Sequence, residues 1–173
     1  MAGMARKDGI RPSILDRLID DNPEGAAQWR SGDQSDTKRF MSLNEYRAQV
    51  RRDLTWLMNT ANLTSVLNLD DLPEVECSVI NFGMPDFTGL TSSTIDSVAL
   101  QKLVKNIIVR FEPRLLEKSL RVRIEVNPDQ LNRNALCFII DGKLKADPAP
   151  IPISFRSDLD LETGQVSISD NTR

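Results

Sequence analysis

The sequence predicts an α+β fold in a single domain, with N-terminal helices packed on a C-terminal, mainly antiparallel sheet of hairpins. Three observations predict it. Apolar residues recur at three- and four-residue spacing between about 42 and 111, and they alternate at period two beyond residue 120. A proline-centred joint, Glu112-Pro113-Arg114, separates the two regimes, so helices precede strands rather than interleave with them. With 173 residues, 40% of them hydrophobic and 27% charged, the chain is sized for one core of ordinary composition. The expected organisation is a disordered tail over 1–11, a domain over 12–169 and a tail over 170–173. Inside the domain, 12–41 reads as a short helix and long loop, 42–111 as two long helices with an irregular connection, and 112–169 as the β region.

Taken in order, "PSILDRLID" (12–20) places Ile14, Leu15, Leu18 and Ile19 on one helical face, with proline at the start where a missing N–H is harmless. The loop that follows carries Pro23, Gly25 and Gly32, with Trp29 and Phe40 available to pin it. "SLNE" (42–45) is a capping box, Ser42 accepting from the Glu45 amide while Glu45 reaches back. Behind it Leu43, Tyr46, Val50, Leu54, Leu57 and Met58 form one apolar stripe running to about Ala61. Arg47, Arg51 and Arg52 lie off that stripe, as a solvated face or a docking surface for an acidic partner.

Residues 62–92 are rich in turn formers, so any strand near Ser78–Phe82 is short, with Phe82, Met84 and Phe87 able to pack the segment down. Ser93 with Asp96 repeats the cap, and Ile95, Val98, Ala99, Leu103, Ile107 and Phe111 make the stripe of a second helix, thickened by Val104 and Ile108. Pro113 pushes Glu112 out of the helical region, which stops the helix near Phe111. Leu120, Val122, Ile124 and Val126 then alternate with charged residues as a half-buried strand. "ALCFIIDGKLKA" (135–146) reads as a hairpin turning at Asp141-Gly142. "PIPISF" sets Ile151, Ile153 and Phe155 at period two, its prolines favouring an edge or a strand start. "LETGQVSI" turns at Thr163-Gly164 into a last strand with Val166 and Ile168.

Composition narrows function by exclusion. The chain has no histidine, which removes Ser-His-Asp and Cys-His catalysis and every His-ligated metal site. Its glycines never form a phosphate cradle, and a net charge of −3 does not suit a nucleic-acid backbone. No apolar run approaches a membrane span, and "MAGMARKDGIRPS" lacks the apolar core of a secretory signal. Cys77 and Cys137 both sit in apolar surroundings and are expected as reduced core residues. No cofactor is expected.

The joint is the candidate site, and three readings of it stand. Glu112 could supply one of the two carboxyl groups that a glycoside hydrolase needs, but Arg110 and Arg114 favour its ionised form and spacing singles out no second acid. Glu112 and Arg114 could form a salt bridge that fixes the helix–strand angle. They could instead present charge to another protein, since Arg110, Arg114, Lys118, Arg121 and Arg123 make a basic band in an acidic chain. Exchanging the two charges is expected to leave the isolated fold largely intact.

Read together, "SILDRLID", "RRDLTWLMNT", "SVINFGMPDFTG", "IIVRFEPRL", "ALCFIIDGKL" and "LDLETGQVSI" resemble the TssE family, the baseplate wedge subunits of bacterial type VI secretion systems. That family is part of the phage baseplate family typified by the T4 gene 25 product and historically labelled lysozyme-like. The likeness runs from about Arg11 to Ile168, with Phe82 and Met84 standing where Tyr and Leu are expected. It implies a cytoplasmic, non-enzymatic structural protein, docked at the inner membrane within a contractile machine but not inserted into it. It further implies partners among the wedge subunits TssF and TssG, the subunit TssK, the sheath subunits TssB and TssC and the spike protein VgrG, with no nucleic acid. The partner-binding residues it implies are Glu112, Pro113 and Arg114; Arg110 of the basic band is expected beside them, and the last strand, with Val166 and Ile168, is the edge expected to pair with sheath. Two rivals remain: a peptidoglycan-cleaving muramidase with Glu112 as general acid, and a phage tail wedge protein outside any secretion system, which shares the same physics.

Overall fold

A computed structural model describes residues 10, 13–18, 41–88, 96–125 and 135–171. The expected loop over 21–40, with Trp29 and Phe40, lies outside the described residues, as do Ile19, Ser93, Ile95 and Val126. Ile10, expected in a disordered tail, instead forms an antiparallel bridge with Met41, whose N–H donates to the Ile10 carbonyl at 2.9 Å.

Helix α1 (Ile14–Leu18) is one short turn, and its orientation departs from the expectation. Ile14 and Leu15 are exposed while the Asp16 side chain is only 1% exposed. The charged residue is drawn inward because two arginines receive it. Helix α2 (Leu43–Met58) follows the predicted pattern, with both bonds of the Ser42–Glu45 capping box formed and Tyr46, Val50, Leu54, Leu57 and Met58 buried. Leu43, in the first turn, is exposed.

The connection to the next long helix contains the short helix α3 (Pro73–Glu76) and two single 3₁₀ turns, Leu63–Ser65 and Val79–Asn81. No strand forms over 78–82. Met84 is buried, and Phe82 and Phe87 pack against the core as expected. Helix α4 (Ser97–Phe111) is capped by Asp96 alone among the described residues, its carboxylate accepting from the Val98 and Ala99 amides. The buried face is Leu100, Val104, Ile107 and Ile108, so Val98 and Leu103 turn outward. The sequence showed a broad apolar arc, and packing on the sheet selected one side of it.

Among the described residues the sheet has four antiparallel strands in the order β1-β2-β3-β4, namely Arg121–Glu125, Ala135–Leu144, Ile151–Asp160 and Val166–Asp170. The predicted turn at Asp141-Gly142 does not exist. β2 runs through both residues, with Asp141 opposite Arg121 and Ser154, and Gly142 opposite Ile153. Reversal happens later, across 145–150, where Asp147-Pro148 is cis. Pro152 lies in an internal strand, yet among the described residues β4 pairs β3 only from Phe155 to Leu159 and sets no partner opposite the proline. The turn before β4 is as predicted, with Gly164 at φ +71° and the Asp160 carboxylate accepting from the Glu162 and Thr163 amides. β4 continues to Asp170, and the Asn171 N–H bonds the Ser154 carbonyl, so 170 and 171 are not a tail.

α4 packs on β1 and α2 on β4, at opposite edges of the sheet. Between them lies one core in which Leu54, Leu57, Ile108, Phe138, Ile140 and Phe155 are fully buried. Cys137 and Ile139 are buried on the other face of β2. Opposite them on the neighbouring strands stand Arg123, Glu125, Arg156 and Asp158, whose long stems can cover apolar surface while their charges reach water.

Candidate functional site

Helix α4 ends where Pro113 requires. Glu112 takes φ −121° and ψ 76°, outside the helical region, while its N–H still closes the last turn on the Ile108 carbonyl. Glu112 through Leu115 then form a β-turn closed by Leu115 N–H on the Glu112 carbonyl at 3.1 Å. Pro113 occupies its second position, where a fixed φ is favourable. The chain is next fastened to the end of β2, since the Lys145 N–H donates to the Arg114 carbonyl and the Leu116 N–H to the Lys143 carbonyl, at 2.8 and 2.9 Å. The corner is rigid because both of its arms are hydrogen-bonded.

On this turn the two charged side chains grip each other. Arg114 Nε donates to Glu112 Oε1 at 2.7 Å and Nη2 to Oε2 at 2.6 Å, a bidentate fork. The Arg114 backbone N–H adds a third bond to Glu112 Oε1 at 3.2 Å. Arg114 Nη2 also donates to Asp53 on α2 at 2.5 Å. Asp53 accepts from Arg52 at 2.8 Å, and Arg52 Nη2 reaches Asp16 on α1 at 2.7 Å. Arg114 Nη1 lies 4.0 Å from Asp16 Oδ2 and has no hydrogen-bond partner among the described residues. Three carboxylates and two guanidiniums thus tie α1, α2 and the helix–strand joint together.

Electrostatics follow from this arrangement. Burial disfavours the Arg114 cation, but the bonds and charges of Glu112 and Asp53 outweigh it and raise its pKa further above the ordinary arginine value. Burial likewise opposes ionisation of Asp16, yet hydrogen bonds from Ser13 and Arg52 hold its carboxyl below the usual 3.8. Tyr46 stands beside the network with its hydroxyl donating to the Lys145 carbonyl at 3.0 Å. Burial raises its pKa.

The Glu112 carboxylate, in a residue 3% exposed, has both oxygens committed to Arg114. A general acid must bring an oxygen within hydrogen-bond reach of its substrate, and here both Glu112 oxygens are engaged by Arg114. An open groove of about 610 Å³ lies elsewhere, between α2 and the end of β4, lined by Arg47, Arg51, Pro152 and Asp170. Among the described residues no cluster of Cys, Asp or Glu could hold a metal ion, and no helix is long and apolar enough to cross a membrane.

The remaining predicted site residues are dispersed. Arg110 leaves the corner to bond the Glu76 carbonyl at 2.9 Å. Val166 is buried and Ile168 is half-buried against the core, and the backbone of both lies on the outer edge of the strand. Ladder bonds link Asp160 with Gln165 and Ser154 with Asn171, and antiparallel alternation therefore turns the backbone groups of Val166, Ile168 and Asp170 away from β3. Asn59, at the end of α2, takes both of those of Val166.

Sequence reasoning missed Asp16 and Asp53. Asp16 sat in a helix whose apolar neighbours looked like the buried face, and Asp53 was one of many acids. Arg52 was seen only as part of a surface face, although it bridges both acids and lies 5.0 Å from the Trp56 ring centre.

The profile of the family described as Baseplate wedge protein gp25 matches residues 44–149, from the first turn of α2 through the reversal after β2. It takes in Asp53, Glu112 and Arg114, and leaves β3 and β4 outside. No curated protein and no solved structure matches the chain.

Proposed function

The chain belongs to the baseplate wedge protein gp25 family, and from that premise we propose that it is a non-enzymatic wedge subunit of a type VI secretion baseplate, joining wedge to contractile sheath. A structural role in a phage-tail-like baseplate comes with the family. The proposal adds the machine and the neighbours: TssF and TssG in the wedge, TssK and VgrG nearby, TssB and TssC in the sheath, all at the cytoplasmic side of the inner membrane.

The observation that carries this reading is the joint. Glu112 is committed to Arg114, and Arg114 to Asp53, so the most distinctive residues of the chain brace a rigid corner instead of addressing a substrate. A braced corner suits a part that transmits load between subunits. The outward backbone of Ile168 and Asp170 on edge strand β4 supports strand addition as the mode of contact with sheath.

Deleting the gene in a strain carrying fluorescent TssB tests the reading. Sheath foci are expected to vanish and to return with the parent chain. Sheath assembly that continues unchanged in the deletion strain would sink the proposal. Clearing of peptidoglycan in a zymogram, lost in Glu112→Gln, would restore the muramidase.

A further inference from the structure

We propose that residues 62–83 form a preformed docking knob for another protein chain whose contact face is apolar at its centre and cationic at its rim. The segment is a closed loop. At its base the Met84 N–H donates to the Thr60 carbonyl at 2.8 Å and the Asn62 N–H to the Met84 carbonyl at 2.9 Å. Gly83 makes this closure with φ +126°, and a Cβ there would stand 2.3 Å from the Thr60 oxygen.

The loop is inverted in polarity. Its buried side chains include two asparagines, Asn62 and Asn81. Asn81 Oδ1 accepts from the Thr64 N–H and hydroxyl at 3.0 and 2.9 Å, and its Nδ2 donates to the Glu76 carbonyl at 3.0 Å. Asn62 Oδ1 accepts from the Ser65 N–H and hydroxyl at 3.2 and 2.9 Å. Outside are Val66, Val79 and Ile80, which are 84%, 81% and 68% exposed, with Leu67 and Leu72 about half exposed. The Thr64–Asn81 bonds bring the turn before Val66 against the turn that carries Val79 and Ile80, so the exposed aliphatic residues belong to one hydrogen-bonded unit. Clustered, exposed aliphatic residues on a hydrogen-bonded frame mark an interaction surface.

Charge selects the occupant. Between residues 62 and 88 stand Asp70, Asp71, Glu74, Glu76 and Asp86, and not one lysine or arginine. Pairing two copies face to face would oppose like charges across an isologous contact. Anionic lipid and nucleic acid are repelled for the same reason. A protein face rimmed with Lys and Arg is the complementary surface. The knob is also held in place relative to the charged corner, because Arg110 bonds the Glu76 carbonyl at 2.9 Å and the Phe82 ring meets Phe111 edge-on at 5.3 Å.

The test rests on the wedge reading only for its first probe, the purified TssF–TssG complex. A Val66→Ser, Val79→Ser, Ile80→Ser chain is expected to keep the parent's circular dichroism and melting curve while binding the complex at least tenfold more weakly. Asp70→Lys with Asp71→Lys is expected to weaken binding and flatten its salt dependence. Unchanged affinity in the aliphatic variant overturns the knob. If the parent itself fails to bind, the wedge assignment fails instead. The knob is then judged by a photo-crosslinking amino acid at position 80 in the cell. A crosslink to one identified protein that is lost when Val66→Ser and Val79→Ser are added, and weakened when Asp70→Lys and Asp71→Lys are added, supports it. Crosslinks to a second copy, none at all, or sedimentation with phosphatidylglycerol vesicles that the aliphatic variant loses would each overturn it.

Discussion

Asn59 holds both backbone groups of Val166: its Nδ2 donates to the Val166 carbonyl at 2.8 Å and its Oδ1 accepts the Val166 N–H at 2.9 Å. A side-chain amide has the same donor and acceptor as a peptide unit, so Asn59 stands where the next strand would pair. It closes one end of an edge that no other described strand pairs, which fixes where β4 begins against α2 and shields a pair of groups that would invite mispairing. The Asn59→Ala chain is expected to lose about 1–3 kcal/mol, because both groups of Val166 lose their partners. Urea unfolding reads the loss, and hydrogen exchange at the Val166 amide should accelerate locally ahead of the rest of the core.

Arg114 is shared by Glu112 and Asp53, so its removal leaves the buried Glu112 carboxylate without its cation and leaves Asp53 with Arg52 alone. Arg114→Ala is expected to destabilise by about 3–5 kcal/mol, the range for breaking a buried ion pair from one side. Glu112→Gln keeps the shape and one acceptor and should cost less, about 1–3 kcal/mol. The charge exchange Glu112→Arg with Arg114→Glu, which the sequence alone presents as harmless to the fold, places a carboxylate at position 114 against Asp53. Its midpoint in denaturant is expected to fall well below the parent's. An unchanged midpoint would show that the Asp53 bond contributes nothing.

The cysteines separate by reactivity. Cys77 is exposed, against the expectation that both lie in the core, because it caps the short helix α3 on the outside of the loop. Cys137 is fully buried in β2, and burial together with Asp158 pushes its thiol up to about 12. A thiolate-selective reagent at neutral pH should label one of the two thiols quickly and the second only on unfolding. Rapid labelling of both in the folded chain would contradict the buried position of Cys137.

Much of this fold was legible in the sequence, for definite physical reasons. The Ser42–Glu45 box and the Tyr46–Met58 stripe act within a few residues of each other, and local spacing records such interactions. Pro113 ended its helix by sterics confined to one residue. Asp141-Gly142 misled because a turn pair is a local preference, and two flanking strands overrode it by pairing with β2 on both sides. At the site, Glu112 and Arg114 stood out because a proline lies between them. Asp16 and Asp53 did not, since their roles depend on which helix faces the corner, a tertiary fact with no signature in spacing.

Tyr46 gives the network a direct optical reporter, since it is the only tyrosine in the chain. Burial is the main cause of its raised pKa, with the Arg114 charge opposing and the Glu112 and Asp16 charges adding to the rise above the ordinary 10.0. The neutral phenol is therefore favoured in the folded state. Its contribution to stability is fully present below pH 10 and is lost as pH rises from there through the folded-state pKa. Tyrosinate absorbance should accordingly appear above pH 10 in the folded chain and move down to about 10 in urea. Arg114→Ala removes a cation that favours tyrosinate and leaves the Glu112 and Asp16 carboxylates behind. In a chain that stays folded, the Tyr46 midpoint should move further upward. A shift downward would mean that Arg114 excludes water from the ring more than it acts through its charge.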